Sequence, residues 1–311
     1  MSVCFLFSRP ARTWYNTWYQ RKVVVEMRVI VYSRFDPLVC VRQADGGRSS
    51  PRPCFSLEEC MDFSIVIPAF EEGHKIARDV TAAAAFLRAN ELAGEILVID
   101  DGSQDNTAQA AQSAPVPDGV ERRVIRYEPH RGKGYGVRTG MLQTTGQYTM
   151  FADCGLCIPY DNALAGLRML QSGTCDIAHG SRRHLQSAIL RDQPWHRRLI
   201  SRSFKWTVRT ILGVPREFTD TQCGFKIYKG DVARGLYRQC VTDGFLFDIE
   251  IILRAIKKGY RIREFPVQWA CDRDTRLSVA RTPWPVLSEL RALRRAMASS
   301  DNSSADAQKE S

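Results

Sequence analysis

The feature that most constrains the fold is a run of five short β-rich segments between Phe63 and Gly180, each separated from the next by a stretch with helical character. The segments are FSIVI, EILVI, RRVIRY, YTMFA and CDIAHG. In the first interval Ile76, Val80, Ala84 and Leu87 recur every three or four residues, the spacing of a helix with one buried face. Later intervals hold DNTAQAAQ, with Asp105 placed to cap it, then GYGVRTGMLQ, then Ala163 to Leu170, which Asp161 or Asn162 would cap. Strands joined by helices of this length predict an α/β fold with a mostly parallel sheet, flanked by helices on both faces. In such sheets ligands gather outside the carboxyl ends of the strands.

Polar residues fall at those ends: PAFEE, DDGSQDNT, EPHRGKGYG, DCGLC and GSRRH. Ordinary turn chemistry explains any one of them. Five converging on one edge predict a site. Asp100 and Asp101 are adjacent on an extended end, so one faces the site and the other its support. RGKGYG combines backbone amides, Lys133 and a helix start, which favours phosphate, although its spacing fits neither the P-loop nor the dinucleotide fingerprint.

DCGLC admits two readings. Cys154 and Cys157 have the spacing of a redox pair or half a zinc site, but no thioredoxin-like element order follows and no second Cys/His pair completes a tetrahedron. Asp153, closing the fourth strand, is the better candidate for function. Ten cysteines at irregular spacing read as reduced thiols. No apolar run reaches the roughly 20 residues that span a bilayer. A cytoplasmic protein, peripheral on the membrane face at most, is the expectation. Residues 1–60 lack sustained periodicity and are expected to be a disordered arm or an over-extended gene start; 296–311 reads as a disordered polar tail.

The net charge of +10 implies an anionic partner. Residues 182–216 hold nine Lys/Arg against Asp192 alone, a local +8. Within them Ile200, Phe204, Val208, Ile211 and Leu212 form an apolar stripe opposite Arg198, Arg202, Lys205 and Arg209, a basic amphipathic helix suited either to an ordinary surface or to a membrane interface. No nucleic-acid-binding pattern accompanies the arginines, so nucleic acid is not expected as a partner.

Five stretches in order, SIVIPAFEE, ILVIDDGSQDNT, RGKGYGVRTGM, DTQCGFKIY and FLFDIEI, resemble the family 2 inverting glycosyltransferases, and within them the dolichyl-phosphate β-glucosyltransferases and polyprenyl-phosphate hexosyltransferases. The resemblance implies a GT-A type fold over 61–295, with a nucleotide-sugar half (61–180) and an acceptor half (181–295). It implies a UDP- or GDP-hexose as donor, with Pro68, Glu71 and Asp101, and Asp100 beside them, at the nucleoside (uracil and ribose where the donor is a UDP-sugar), and Lys133 near the nucleotide. Asp153 would be the first carboxylate of a D-x-D pair engaging Mg²⁺ or Mn²⁺; the second position is Gly155. One carboxylate with the diphosphate still suffices for some Mg²⁺ sites, whereas the alternative is neutralisation by Lys or Arg without metal. Arg182 would meet an acceptor phosphate, joined by Arg198 or Arg202. Asp220 is the candidate base or sugar orienter, followed by Asp248 and Glu250. The implied reaction moves a hexose, glucose first among the candidates, to a polyprenyl phosphate with inversion. A soluble or protein acceptor, or nucleotide-sugar binding impaired by Gly155, are the alternatives.

Overall fold

The computed structural model describes residues 61–191, 209–271 and 288–297 of the chain. Arg198 and Arg202, most of the expected basic helix, and the segments 1–60 and 298–311 lie outside the described residues.

The alternation read from the sequence is present. β1 (Phe63–Ala69), α1 (Ile76–Ala89), β2 (Gly94–Asp100), α2 (Thr107–Ser113), β3 (Val120–Arg126), α3 (Lys133–Leu142), β4 (Tyr148–Ala152), α4 (Ala163–Gln171) and β5 (Ile177–Ser181) follow one another. Beyond them come β6 (Ala188–Arg191), β7 (Phe225–Lys229), helices Gly230–Tyr237 and Phe247–Lys257, β8 (Ile262–Pro266) and β9 (Gln268–Ala270). Seven strands form one sheet in the order β3-β2-β1-β4-β7-β5-β8, while β6 pairs with β9. β1 runs parallel to β2 and β4, β2 to β3, and β5 to β8. β7 is antiparallel to both β4 and β5. That reversal matters for the site: it brings the start of β7, and the DTQCG loop before it, to the edge where β4 and β5 end.

The central strands β1 and β2 are rich in β-branched and apolar residues because both their faces are covered. Ile65, Ile67, Ile96 and Val98 pack with Ile76, Val80 and Leu87 of α1 and Leu167 of α4. Val66, Leu97 and Ile99 pack on the other side with Val137 and Met141 of α3 and Ile251 of the helix Phe247–Lys257. Burying each such side chain contributes about 1.5–3 kcal/mol before entropy is set against it. Glu95, buried inside β2, is satisfied by Ser64 Oγ at 2.6 Å, Thr145 N–H at 2.7 Å and Arg123 Nη2 at 2.6 Å.

Two expected caps differ. α4 is entered through a short 3₁₀ turn, Tyr160–Asn162, and has no side-chain cap. Asn162 instead donates to Pro159 O and accepts from Gln268 N–H, tying the turn to β9. In α2 the cap position is held by Asn106, without a side-chain cap bond, and Asp105 stands one residue before it, accepting from Thr107 N–H at 2.9 Å.

Candidate functional site

β1 and β2 end side by side, Ala69 paired with Asp100, so the turns after them share a corner. Pro68 is the penultimate residue of β1. At Glu71 the backbone enters the left-handed region, φ +54°, and its N–H donates to Ser103 Oγ at 2.8 Å. Asp100 turns inward. It is fully buried, its Oδ1 accepts from Ser103 N–H at 3.0 Å, and Arg126 Nε lies 3.7 Å from its Oδ2. Asp100 is therefore the supporting member of the pair, a correction to its place among the donor-binding residues. Asp101 turns the other way and accepts from Arg131 N–H at 2.7 Å and Gly132 N–H at 2.9 Å, with His130 Nδ1 2.9 Å away. The His130 ring stacks on Phe70 at 4.1 Å between centroids.

The glycine loop differs from the phosphate cradle that its sequence predicts. The amides of Arg131 and Gly132 are engaged by Asp101, and Tyr135 N–H donates to Asp243 O at 3.0 Å. A Cβ on Gly132 would lie 2.7 Å from Asp243 O, and one on Gly134 2.7–2.9 Å from three backbone atoms of residues 242–244. These glycines permit two loops to touch. The second loop is itself held: Arg138 reaches Asp243 Oδ1 at 2.6 Å and Cys240 O at 3.0 Å, while Glu250 accepts from the amides of Val241 and Thr242. What the loop does present to the strand edge is Lys133.

Lys133 Nζ lies 2.6 Å from Asp153 Oδ1 and 5.9 Å from the ring centres of Phe151 and Phe247. Asp153 N–H donates to Gly224 O at 2.9 Å, and its carboxylate lies flat on that glycine, where a Cβ would come within 2.0–2.3 Å. A side chain at the glycine of DTQCGFK would displace the carboxylate from this position. Asp220, from the same loop, grips Arg182: Oδ2 to Nε at 2.6 Å, Oδ1 to Nη2 at 2.8 Å, and Oδ2 again to the Arg182 N–H at 3.1 Å. This is the two-pronged geometry that distinguishes arginine–carboxylate pairs. Lys226 pairs with Asp248, both almost fully buried. Asp248 sits in the first turn of its helix, and Leu246, not Asp248, holds the cap position.

These three pairs act on one another. Burial opposes the charge on Lys133, but Asp153 and Asp248 outweigh it and strengthen its hold on the proton. Arg182 is likewise opposed by burial and held charged by Asp220, with Asp153 contributing. Lys133–Asp153, Arg182–Asp220 and Lys226–Asp248 thus form one charged cluster at the ends of β4 and β5. Glu71 and Asp101 stand at the neighbouring corner, joined to it through the loop that carries Lys133.

The DCGLC turn is a backbone device. Gly155 has φ +108° and Leu156 φ +48°, and both N–H groups donate to Asp79 Oδ1, at 2.9 and 3.0 Å. Asp79 is fully buried on α1. Cys154 and Cys157 are in no disulfide, and burial, then Asp79, pushes the Cys154 thiol far above its ordinary pKa. A thiol held protonated is a poor redox nucleophile, and among the described residues no three His, Cys, Asp or Glu side chains gather as a metal site.

Sequence reasoning did not single out Asp79, Gly224 or Lys226. Asp79 had a signal, an acid one helical turn from Ile76 on the face that α1 buries. Lys226 lay inside a quoted motif, where its role depends on the antiparallel course of β7.

A mostly parallel sheet with its charged residues massed at the carboxyl edge, and an antiparallel strand feeding a second loop to that edge, is the architecture of GT-A type glycosyltransferases. The family model described as glycosyl transferase family 2 matches residues 64–236, and the chain belongs to that family. It is 32% identical to a dolichyl-phosphate beta-glucosyltransferase of Drosophila melanogaster over 69% of each chain, and 30% identical to one of Saccharomyces cerevisiae over 68% of each. The fold matches glucosyl-3-phosphoglycerate synthase from Mycobacterium tuberculosis, solved with Mn²⁺, UDP-glucose and phosphoglyceric acid, at TM-score 0.53 and 17% identity, covering 80% of this chain and 85% of that one. Mannosyl-3-phosphoglycerate synthase from Rubrobacter xylanophilus gives TM-score 0.54 at 16% identity, over 76% and 74%. The protein is a glycosyltransferase. No helix among the described residues is long and apolar enough to cross a membrane.

A divalent ion is the cofactor such a fold implies, and the donor set here fits one poorly. Among the described residues no three His, Cys, Asp or Glu side chains converge. Asp153 is in contact with an ammonium, and the position of the second carboxylate is a glycine whose N–H is bound to Asp79.

Proposed function

We propose that this protein moves a hexose from a nucleoside-diphosphate sugar, glucose from UDP-glucose in the first instance, to a polyprenyl phosphate with inversion at the anomeric carbon. The observation that carries the reading is the cluster in which Arg182, clamped by Asp220, and Lys133, in contact with Asp153, lie within electrostatic reach of one another. Two anions meet in this reaction, the donor diphosphate and the acceptor phosphate, and two anchored cations answer them. Relatives named for transfer of glucose to dolichyl phosphate, at about one-third identity over two-thirds of the chain, support the same substrates.

The proposed chemistry follows from the acceptor. A phosphate monoester has a second pKa near 6, so its oxygen is already a nucleophile at neutral pH. It attacks the anomeric carbon from the face opposite the nucleotide; the new C–O bond forms as the bond to the β-phosphate oxygen breaks, and the nucleoside diphosphate departs. Positioning and charge neutralisation then dominate over proton removal. Asp220 and Asp248, each in contact with a cation, serve in this scheme as positioning groups for Arg182 and Lys226. Glu71 and Asp101 hold the nucleoside corner. Residues 61–180 would form the donor half and 181–295 the acceptor half, with Arg198 and Arg202 adding charge for the lipid phosphate at the cytoplasmic membrane face. Mg²⁺ or Mn²⁺ is left out of every step because the residues at Asp153 do not fit it.

The test is incubation with labelled UDP-glucose, UDP-galactose and GDP-mannose and a short polyprenyl phosphate. Label extracted with the lipid, chasing into an acid-labile sugar phosphate, is the expected result. Absence of lipid-borne label with every donor and every metal refutes the lipid acceptor, and label in a water-soluble product points to a soluble one.

A further inference from the structure

Lys133 occupies the place at Asp153 that a divalent ion would need, and the loop around it is built for that arrangement. Its ammonium is 2.6 Å from Asp153 Oδ1, and Phe151 and Phe247 stand beside it, each ring centre 5.9 Å away. The backbone at Asp153 is anchored, its N–H bound to Gly224 O at 2.9 Å, and its carboxylate fills the space over Gly224 that a Cβ would take. The next candidate ligand is missing for a structural reason. Position 155 adopts φ +108°, where side chains other than glycine are strained, and its N–H is fixed to a fully buried carboxylate on α1. An aspartate at this position would have to break the turn that Asp79 organises.

We infer that Lys133, oriented by Asp153 and backed by Arg182, is itself the cation that receives the donor diphosphate, so that nucleotide binding by this chain is independent of divalent metal. The inference rests on the nucleotide-sugar reading above and goes beyond it. A lysine is a compact, strongly hydrated point charge with three donors, suited to phosphate oxygens. The carboxylate that fixes it limits the rotamer freedom it would lose on binding.

The experiment is isothermal titration of the full chain with UDP and with GDP, in EDTA and again in MgCl₂ or MnCl₂, alongside Mn²⁺ titration followed by electron paramagnetic resonance. The expected result is a dissociation constant that changes less than about threefold between EDTA and metal, a change worth about 0.7 kcal/mol. Lys133→Met should weaken UDP at least tenfold in EDTA, with the circular dichroism spectrum unchanged, and Lys133→Arg should restore part of it. Binding that appears only with Mn²⁺, together with loss of the free-Mn²⁺ signal on adding protein and UDP, overturns the inference and leaves the transferase reading standing. Metal-independent binding that Lys133→Met leaves untouched also overturns it. Failure of both nucleotides to bind under any condition removes the nucleotide-sugar reading and this inference together. Should Lys133→Met not fold, the comparison of EDTA with metal on the unmodified chain still decides.

Discussion

Replacing Asp79 by asparagine should stabilise the protein at neutral pH, against the usual direction of substitutions at buried polar sites. Asp79 is fully buried, and burial pushes its carboxyl up to about 6 although the amides of Leu156 and Gly155, Arg78 and Cys154 all favour the charged form. A carboxyl held near 6 rather than at its ordinary value corresponds to about 3 kcal/mol in favour of the protonated form. The folded state therefore holds the Asp79 proton longer than the unfolded chain does. Between about pH 4 and pH 6 the native state binds more protons, so stability falls as pH rises through this window and levels off above it. Asparagine keeps the useful geometry, because both amides donate to the single oxygen Oδ1, and it places its NH₂ against the weakly accepting Cys154 sulfur. The gain expected for Asp79→Asn at pH 8 is about 1–3 kcal/mol, shrinking toward zero near pH 4. Urea unfolding followed by tryptophan fluorescence at several pH values measures it. An Asp79→Asn variant that is less stable at pH 8, or a wild-type curve that runs parallel to the variant's from pH 4 to pH 8, refutes the argument and gives Asp79 a charged role in holding the donor loop.

Three further outcomes follow from the site's packing. Gly134→Ala places a methyl 2.7–2.9 Å from backbone atoms of three successive residues, which cannot rotate aside, so a loss of about 1–3 kcal/mol is expected in chemical denaturation, with weaker nucleotide binding as the loops part. Arg182→Lys keeps the charge but not the two-pronged grip on Asp220; a fall of about tenfold or more in kcat/KM for the acceptor, with little change in nucleotide affinity, is expected in the transfer assay. Lys226→Met and Asp248→Asn each leave a buried ion unpaired and should cost about 3–5 kcal/mol alone, but much less than their sum together, as a double-mutant cycle by denaturation will read.

The sheet was legible because its cause is local. Alternation of β-branched runs with helical spacing dictates strand, crossover and parallel pairing, and the carboxyl-edge rule then locates the site without a single contact being known. The Asp100–Asp101 pair was readable to the same depth, since adjacent residues on an extended end must diverge; which of them faces inward depended on Ser103, whose amide the turn brings back to Asp100. Glycines were misread where their reason is non-local. Gly132 and Gly134 resemble a phosphate turn in sequence, but their neighbours are residues 242–244, more than a hundred positions on, and no local pattern encodes that approach. The same holds for Asp220 and Arg182, which sequence reasoning assigned to different tasks and the fold joins as one unit across 38 residues.

The pairing of acids with bases has a consequence for how the site meets its substrates. Three cations and three carboxylates leave the cluster near neutrality, so the resting site draws in a diphosphate less strongly than three bare cations would. The carboxylates also keep each cation charged and fixed in a partly buried setting where an unpaired ammonium would tend to lose its proton. A diphosphate that arrives at Lys133 adds negative charge beside Asp153, and that repulsion is relieved when the leaving group departs with the charge. The cost of holding Asp153 next to the donor is therefore borne in the bound state and removed on product release. This is the arrangement expected of a transferase that must free its nucleotide as well as bind it. Asparagine keeps an Oδ1 acceptor to orient Lys133 while removing the negative charge, so Asp153→Asn should tighten UDP while slowing its release, a combination that a simple loss of a metal ligand cannot produce.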